Sequence, residues 1–529
     1  MSHHVIGVDI GTQSTKAVLV RDDGRVVAQA SSAYRVDAPH PLWAEQWPQV
    51  WMDAVNACVV ELLQRSGVAG SSVDALCIDS LYGGSGIPVD GACEPIHPCL
   101  IWMDRRAQDE VDRVRSTVDV DRLLEITGNG VDSYYGYTKM LWLRDKRPEV
   151  WRRTRQFLPP NTYVNMRLTG EVAVDHSSAG NIGGVYDLAG RRWSDEALGM
   201  LGIPRSMMPD RLVESTAVVG GLLEPSARAL GLPAGLPVVA GGVDAAVATL
   251  AAGANRVGNH VAMIGTSMCW GTIRKSVDAR HGLIAMPHVV NGATDLYVFG
   301  GAITAGAAVT WFIEELGGEE VARARARGVD PHAALEAEAI KLPPGAGGLL
   351  FLPYLMGERS PIWDARASGA FVGLGLHHRR AHLYRAVLEG VTYALQHNID
   401  TAALGGHDLD QAITLVGGAS RSNLWCEIVA DVTSRPVRTL REDVEASLGA
   451  AMLAAIGVGM SDAGTLARRW VDLVERAAPR PKASARYERL YAEYVKLYPA
   501  LKSTMHALHD AGREAIVPSV APGVATSVA

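Results

Sequence analysis

The chain has 529 residues, more than a single hydrophobic core usually organises, so we expect two large domains. Hydrophobic residues make up 48% of it and charged residues 20%, which is typical of ordered globular proteins and argues against a disordered or fibrous chain. The formal net charge is -7 and no long run of Lys or Arg occurs, which argues against nucleic acid and membrane surfaces as partners.

The six cysteines include no Cys-x-x-Cys pair, so neither a zinc ribbon nor a redox motif is indicated, and reduced thiols are expected. The residues after Met1 lack the basic segment, apolar stretch and cleavage site of a signal peptide. The longest apolar region, residues 236–267, is interrupted by Asp244, Arg256 and other polar residues, which argues against a membrane span. We therefore predict a cytoplasmic protein.

The first elements of the chain form a predicted antiparallel meander. Residues 5–10 and 15–20 have the apolar content of buried strands, and a turn at residues 22–24 leads into a third strand. Apolar residues at helical spacing predict a helix over 47–65, and a further strand is expected over 75–80. Strands that alternate with helices indicate an α/β fold.

The second half of the chain repeats this pattern. A predicted strand over 260–264 ends in Gly265-Thr266, as the first strand ends near Gly11-Thr12, which suggests a duplicated unit. Helices are expected over 305–316 and 423–432, with a strand over 413–416. A stretch of small and polar residues near 253–259 indicates the boundary, so we predict domains over 1–253 and 254–529.

Glycine turns at strand ends are the candidate phosphate-binding features. No Gly-Lys dipeptide occurs, which excludes a P-loop. Backbone N–H groups in the Gly11-Thr12 and Gly265-Thr266 turns can hold phosphate without a lysine, and each threonine adds a hydroxyl. A plain hairpin turn is the alternative for either one alone.

Two carboxylates follow predicted strands. Asp9 precedes the first turn, where a buried carboxylate is costly unless it meets a cation such as nucleotide-bound Mg²⁺. Asp244 follows an apolar strand and two glycines, and small residues of a predicted helix come after it. Asp244 is interpreted either as a helix N-cap or as a general base for phosphoryl transfer, and the two interpretations are compatible.

An ordered series of segments resembles the FGGY family of carbohydrate kinases across residues 5–501. The series comprises residues 9–16 (DIGTQSTK), 241–244 (GGVD), 264–267 (IGTS) and 417–422 (GGASRS). The most specific match is residues 369–389, which resemble the family's C-terminal signature, and residues 352–361 resemble a further family segment.

Subfamily features of the sequence point in more than one direction. Residues 39–46 and 98–106 look most like xylulokinases, whereas residues 133–139 look nearer to glycerol kinases. Xylulokinases carry Gln-Met-His-Gly in the sugar pocket, but residues 79–85 of this chain read DSLYGGS. Gly136 also stands where the family's N-terminal signature has Pro, Ser or Thr. These departures leave the sugar open.

The resemblance implies two ribonuclease-H-like domains of the actin and hexokinase type that flank a deep cleft, with ATP and Mg²⁺ as cofactors. It implies that Asp244 is the catalytic base and that Asp9 holds Mg²⁺ through water. The implied nucleotide-binding residues are Asp9, Gly11, Thr12, Gln13, Ser14, Lys16, Gly265, Thr266, Gly301, Gly417, Gly418, Ala419 and Asn423. The implied substrate-binding residues are Tyr82, Gly83, Trp102, Asp104, Arg105, Tyr134 and Asp244.

The expected activity is transfer of the ATP γ-phosphoryl group to a hydroxyl of a small ketose such as xylulose. Ribulose, erythritol, xylitol and glycerol are alternative acceptors, and the family resemblance suggests a homodimer. Chaperone-like and cytoskeletal ATPases share the expected fold but lack the signature over 369–389. A non-catalytic sugar-binding regulator would be expected to lose Asp9 or Asp244, and both are present.

Overall fold

The computed structural model describes residues 3–277, 282–406, 409–441 and 446–516. The strands of the first half are β1 (His4–Ile10), β2 (Ser14–Arg21), β3 (Val26–Ala33), β4 (Glu45–Gln46), β5 (Val73–Ser80), β6 (Ile87–Val89), β7 (Cys99–Leu100), β8 (Gln156–Leu158), β9 (Val174–Asp175), β10 (Tyr186–Asp187), β11 (Arg192–Trp193), β12 (Leu212–Val213), β13 (Val218–Gly221) and β14 (Pro237–Val239). Its helices are α1 (Pro48–Ser66), α2 (Gln108–Thr117), α3 (Val120–Thr127), α4 (Gly136–Lys146), α5 (Pro148–Arg153), α6 (Pro160–Thr169), α7 (His176–Asn181), α8 (Asp195–Leu201), α9 (Glu224–Leu230) and α10 (Asp244–Ala251).

The second half has the same kinds of element. Its strands are β15 (His260–Ile264), β16 (Met268–Arg274), β17 (Ile284–Pro287), β18 (Leu296–Gly300), β19 (Leu350–Leu352), β20 (Ala370–Val372), β21 (Ile413–Val416), β22 (Val437–Leu440) and β23 (Leu473–Ala477). Its helices are α11 (Gly306–Trp311), α12 (Gly318–Ala326), α13 (Pro331–Ala339), α14 (Arg380–Ala403), α15 (Asn423–Thr433), α16 (Ala446–Gly457), α17 (Ala463–Trp470) and α18 (Pro481–Ile516). The helix predicted over 305–316 is α11 followed by a π-helical turn at 312–316.

Two large mixed sheets organise the molecule, and they share one plan. The first has the strand order β13-β14-β5-β1-β2-β3, and the second has β17-β18-β16-β15-β21-β22-β23. In the first, β1 pairs antiparallel with β2 and parallel with β5, which in turn pairs parallel with β14. In the second, β15 makes the same pairings with β16 and β21, which pairs parallel with β22. The predicted duplication is confirmed by this topology.

Helix α16 joins the two halves, because it follows β22 of the second sheet but packs on β1 of the first. A β-carbon at Gly7 would overlap the carbonyl oxygen of Ser447 and the backbone of Ala451. Similarly, a β-carbon at Gly449 would overlap the backbone of Val247 on α10. Glycine at these points permits helix and strand backbones to touch, so the second half of the chain completes the core of the first. The domain boundary after Gly253 stays a prediction.

Aromatic residues of the last described helix pack against the body of the protein. Tyr487 and Tyr494 on α18 are buried and lie 6.2 and 5.2 Å, centroid to centroid, from the ring of Tyr393 on α14. All six cysteines are free thiols, in agreement with the sequence prediction. Across the described ranges, none of the helices has both the length and the apolar content needed to cross a membrane.

The close packing of α16 predicts that Gly7→Ala destabilises the protein by about 2 kcal/mol or more, because backbone atoms on both sides must move apart. Urea unfolding followed by circular dichroism would measure the change. The matched control is Gly91→Ala, where the new methyl group meets no atom within 4 Å. Equal stability of the two variants would show that α16 does not press on β1 as described.

Candidate active site

Three carboxylates meet at one edge of the first sheet. The strands β1, β5 and β14 are neighbours and parallel, so their carboxyl ends lie together. Asp9 is in direct register with Asp79 on β5 and with Lys16 on β2. A bridge between Ser80 and Val243 brings Asp244 to the same edge. Side chains in direct register share a face of the sheet, so the topology itself assembles this cluster.

Burial and mutual repulsion change the acidity of these groups. The pKa of Asp79 is raised well above its ordinary value, first by burial, then by the charge of Asp9 and a hydrogen bond with it, and then by the charge of Asp244. Burial and the charge of Asp9 raise the pKa of Asp244 to about 8. A cation at this edge would favour the ionised forms of all three groups.

The backbone before Asp244 is held by its neighbours. Gly241 has φ +72°, and a β-carbon there would overlap the carbonyl of Ile78, so no other residue fits without movement. Ser80 N–H donates to Gly242 O over 3.0 Å, and Val243 N–H donates to Ser177 Oγ over 3.1 Å. These bonds fix the start of α10 relative to β5.

Asp244 is the first residue of α10 and is not its N-cap. Val243 occupies the cap position, and no side chain caps the helix there. The Oδ1 atom of Asp244 accepts a hydrogen bond of 2.6 Å from the N–H of the next residue, Ala245. The N-cap interpretation of Asp244 is therefore wrong, although its carboxylate does lie at the positive end of the helix dipole.

Each predicted phosphate turn is closed by a backbone hydrogen bond from its glycine, spanning three residues in the first turn and two in the second. Gly11 N–H donates to Ser14 O over 2.9 Å, and Gly265 N–H donates to Ser267 O over 3.0 Å. The indole N–H of Trp102 donates to the Thr12 hydroxyl over 3.1 Å, which connects a predicted sugar residue to a predicted phosphate residue. Beside this turn, Gln13 is exposed, and Ser14 and Lys16 are half-buried on β2.

A cavity of about 500 Å³ adjoins the second phosphate turn. Its lining brings together residues from the two predicted nucleotide segments, namely Gly265, Thr266, Gly418 and Ala419. Its remaining walls include residues that sequence reasoning missed, among them His332, Glu336 and Tyr384. The volume suits a nucleotide base and ribose.

Three predicted nucleotide residues of the second half of the chain lie outside that lining. Gly417 has φ +86° and packs closely on the carbonyl of Ile264, so it supports the cavity from behind. Asn423 is the first residue of α15 and is exposed. Gly301 is buried, and its N–H donates to Ser360 Oγ over 2.7 Å. Gly301 therefore has a packing role in the free protein, and its contact with the nucleotide stays a prediction.

The predicted sugar residues Tyr82 and Tyr134 form an aromatic wall. Their ring centroids lie 5.0 Å apart, and the Tyr82 hydroxyl accepts a 2.5 Å hydrogen bond from Gly136 N–H. Lys139 holds the neighbouring backbone, since its Nζ donates to Ser133 O and Tyr134 O over 2.6 and 2.7 Å. Gly136 is needed here, because a β-carbon would overlap the carbonyl oxygen of Gly84. Gly83 is buried next to Tyr82.

Two further predicted sugar residues have structural partners. The fully buried carboxylate of Asp104 accepts from Ala44 N–H over 2.7 Å and from Arg106 Nε over 2.8 Å. These bonds anchor the loop that carries Asp104, and its contact with the sugar stays a prediction. Arg105 pairs with Asp132 over 2.5 Å and its guanidinium lies 6.0 Å from the Tyr134 ring centroid, at the rim of the aromatic wall.

Several residues at the site were missed by sequence reasoning. Asp79 carried a usable signal, because it is a carboxylate near the end of an apolar strand, just as Asp9 is. Trp363 lies 6.4 Å from Tyr134, ring centroid to centroid, and comes from the second half of the chain. Cys269 is near enough to Asp244 for that charge to contribute to its raised pKa, although burial is the main cause. No local pattern marks Trp363 or Cys269.

Comparison with known proteins agrees with this geometry. The model of the N-terminal domain of the FGGY family of carbohydrate kinases matches residues 4–251, and the C-terminal model matches residues 260–458. A xylulose kinase of Lactococcus lactis is 30% identical over 96% of this chain and 98% of its own. A gluconokinase of Bacillus licheniformis is 29% identical over 95% of this chain and 97% of its own.

A solved structure extends the likeness to three dimensions. The crystal structure of xylulose kinase from Rhodospirillum rubrum has a TM-score of 0.88 and 34% identity, covering 95% of this chain and all of that one (100%). The duplicated actin- and hexokinase-like fold, with its acidic strand ends and adjoining cavity, defines an ATP-dependent sugar kinase. The chain belongs to the FGGY family of carbohydrate kinases.

The raised pKa of Asp244 predicts that Asp244→Asn stabilises the protein free of nucleotide and metal at pH 8. Folding raises the pKa of this carboxyl from an ordinary value of 3.8 to about 8, so wild type loses stability as pH rises through that interval. The neutral variant escapes this loss, and we expect a gain of at least about 2 kcal/mol at pH 8 and little at pH 4. Thermal and urea unfolding at both pH values would measure it. A variant less stable than wild type at pH 8 would contradict the assignment.

Proposed function

We propose that the protein transfers the ATP γ-phosphoryl group to a terminal hydroxyl of a small ketose, with xylulose as the first candidate. The observation that carries the proposal is the half-buried carboxylate of Asp244, whose charge acts on Tyr134 of the aromatic wall and which lies at the strand edge that ends in Asp9 and the first phosphate turn. The xylulose kinases among the relatives support the choice of a pentulose.

In this proposal Asp244 accepts the proton of the attacking hydroxyl. Its raised pKa makes it a stronger base than an ordinary carboxylate, and its fixed backbone holds the carboxylate in one direction. The N–H groups and hydroxyls at Thr12 and Thr266 stabilise charge on the phosphates. The bond from Trp102 to Thr12 orients one of these hydroxyls and places an apolar ring beside the substrate.

The acidic strand ends fit a magnesium ion. Burial and repulsion keep the pKa values of Asp79 and Asp244 raised, and a bound cation would relieve that repulsion. No group of three His, Cys, Asp or Glu side chains in the described part of the chain is arranged to ligate a metal directly. We therefore propose that Asp9 holds Mg²⁺ through water, as hard oxygen ligands commonly do, and the ion neutralises phosphate charge when bound.

The glycine loop at residues 83–86 is the reason to test sugars other than xylulose as phosphoryl acceptors. It lies in the segment where xylulokinases carry Gln-Met-His-Gly, and the enclosed space that it lines with Tyr82 and Val243 is about 10 Å³, room for about one water molecule. Ribulose, xylitol, erythritol and glycerol remain alternative substrates. A homodimer and a cytoplasmic location also stay predictions.

The proposed reaction predicts ADP release from Mg-ATP that depends on one sugar. The panel is xylulose and ribulose of both hands, gluconate, xylitol, ribitol, erythritol, erythrulose and glycerol, with wild type and Asp244→Asn in parallel. We expect one ketose to stimulate wild type strongly and the variant at least about 10³-fold less, because the base is lost. Equal stimulation of the two proteins would exclude Asp244 as the base, and a response to no sugar would exclude the kinase.

The pKa of Asp244 also predicts the pH profile. With a base of pKa about 8, kcat/KM for the sugar rises about tenfold per pH unit below that value and levels off above it. Because a cation favours the carboxylate, raising free Mg²⁺ should move the inflection to lower pH. Initial rates from pH 5.5 to 9.5 at two Mg²⁺ concentrations test this. A flat profile at both concentrations would contradict it.

A further inference from the structure

Asn181, the last residue of α7, presents an unsatisfied amide to the aromatic wall. Its side chain is fully buried, and neither Oδ1 nor Nδ2 has a hydrogen-bond partner among the described residues. The neighbouring Ser178 and Ile182 line the same small space as Tyr82 and Val243, which locates this turn beside the site. A buried amide without partners costs stability, and a ligand that satisfies it would remove that cost.

The position of Asn181 is held from behind by a polar network. Asp175 caps α7 by accepting from Ser178 N–H over 2.9 Å, and it also accepts from Ser177 Oγ over 2.5 Å. Ser177 Oγ in turn accepts from Val243 N–H over 3.1 Å. The same network therefore fixes both the helix that carries Asn181 and the segment that carries Asp244.

Arg359 reaches the wall from the second half of the chain. It is 9% exposed, its Nε atom is buried without a partner in the described part of the molecule, and Nη2 lies 3.5 Å from Met268 O. Met268 begins β16, directly after the second phosphate turn. Burial raises the pKa of the adjacent Glu358 to about 8, and the charge of Arg359 opposes that rise.

Asn181 and Arg359 converge on one group. Burial raises the pKa of Tyr134, and the charge of Arg359 and the nearby amide of Asn181 both oppose that rise. Trp363, four residues after Arg359, lies 6.4 Å from the Tyr134 ring, centroid to centroid. Two buried polar groups from opposite halves of the chain therefore face the same tyrosine.

We propose that Asn181 and Arg359 are specificity-determining residues that bind the sugar beside Tyr134, with Arg359 donating to an oxygen of a C=O group. An amide both donates and accepts, which matches a sugar hydroxyl, whereas a guanidinium only donates and matches an oxygen that only accepts. A ketose carbonyl and an aldonate carboxylate share that chemistry, and an alditol lacks it. This inference rests on the proposed function and names the chemistry of its sugar pocket.

The first test measures sugar binding without nucleotide, by tryptophan fluorescence and calorimetry, for wild type, Asn181→Ala and Arg359→Gln. We expect each variant to weaken binding of the preferred sugar at least tenfold. The matched controls are Asn165→Ala and Arg274→Gln, which alter equally buried residues: Asn165 donates to Ala240 O, and Arg274 lines a separate cavity. Binding unchanged within twofold in both test variants, or weakened as much in the controls, overturns the proposal.

The second test compares C=O and alcohol substrates in steady-state kinetics. We expect Arg359→Gln to reduce the preference for xylulose over xylitol, or for gluconate over its alditol, while KM for ATP changes less than twofold. Loss of preference for the neutral ketose identifies a carbonyl, and loss for gluconate identifies a carboxylate. An unchanged preference, or an equal rise in KM for ATP, overturns the role of Arg359.

Two variants guard against misfolding. Asn181→Ser and Arg359→Lys each keep a polar group. They replace Asn181→Ala and Arg359→Gln if thermal melts show that those variants are unfolded, and the same thresholds for sugar binding apply. Added guanidinium should restore sugar affinity to Arg359→Ala, and absence of rescue in a folded variant counts against the proposal. Wild type that binds sugar without phosphorylating it would overturn the proposed function alone, and wild type that binds no sugar would overturn both.

Discussion

The electrostatics of the candidate active site depend on repulsion among carboxylates that the fold holds close together. Asp9, Asp79 and Asp244 converge because parallel strands end at one edge, and their environment keeps two of them from ionising easily. Such a cluster is tolerated only with protons or with a cation. Repulsion among these carboxylates therefore destabilises the free protein, and a nucleotide-bound metal ion would relieve it. The same ion would lower the pKa of Asp244, so ligand binding would also ionise the proposed base.

The connection between the two large sheets limits how the two halves of the chain can move relative to each other. Helix α16 leaves the second sheet and lies on β1, while α10 leaves the first sheet and packs on α16. The backbones are in contact at Gly7 and Gly449, so this junction has little room to slide. Movement of the halves is then expected as rotation about the junction, which would change the separation of Asn181 and Arg359 more than that of Asp9 and Asp244.

Sequence reasoning succeeded where the signal was local and failed where it was not. Strands that end in Gly-Thr, and the carboxylates beside them, follow from apolar runs and turn residues, so the duplicated fold, Asp9 and Asp244 could be predicted. The structural partners of Asp104, Ala44 and Arg106, could not be predicted, because they become visible only when separate loops meet. No local sequence pattern marks Asn181, because the lack of hydrogen-bond partners depends on which residues pack around its side chain in the folded protein.

The segment that carries Arg359 and Trp363 is tied to the last described helix. Asp364 pairs with Glu358 through backbone hydrogen bonds of 2.9 and 3.0 Å, and its carboxylate accepts from Tyr498 over 2.6 Å and from His506 over 2.5 Å. Tyr498 and His506 of α18 thus hold in place the segment that carries Arg359 and Trp363. Removing α18 from Tyr498 onward would therefore release the segment of Arg359 and Trp363, while the cavity beside the second phosphate turn, which no residue of α18 lines, would keep its walls.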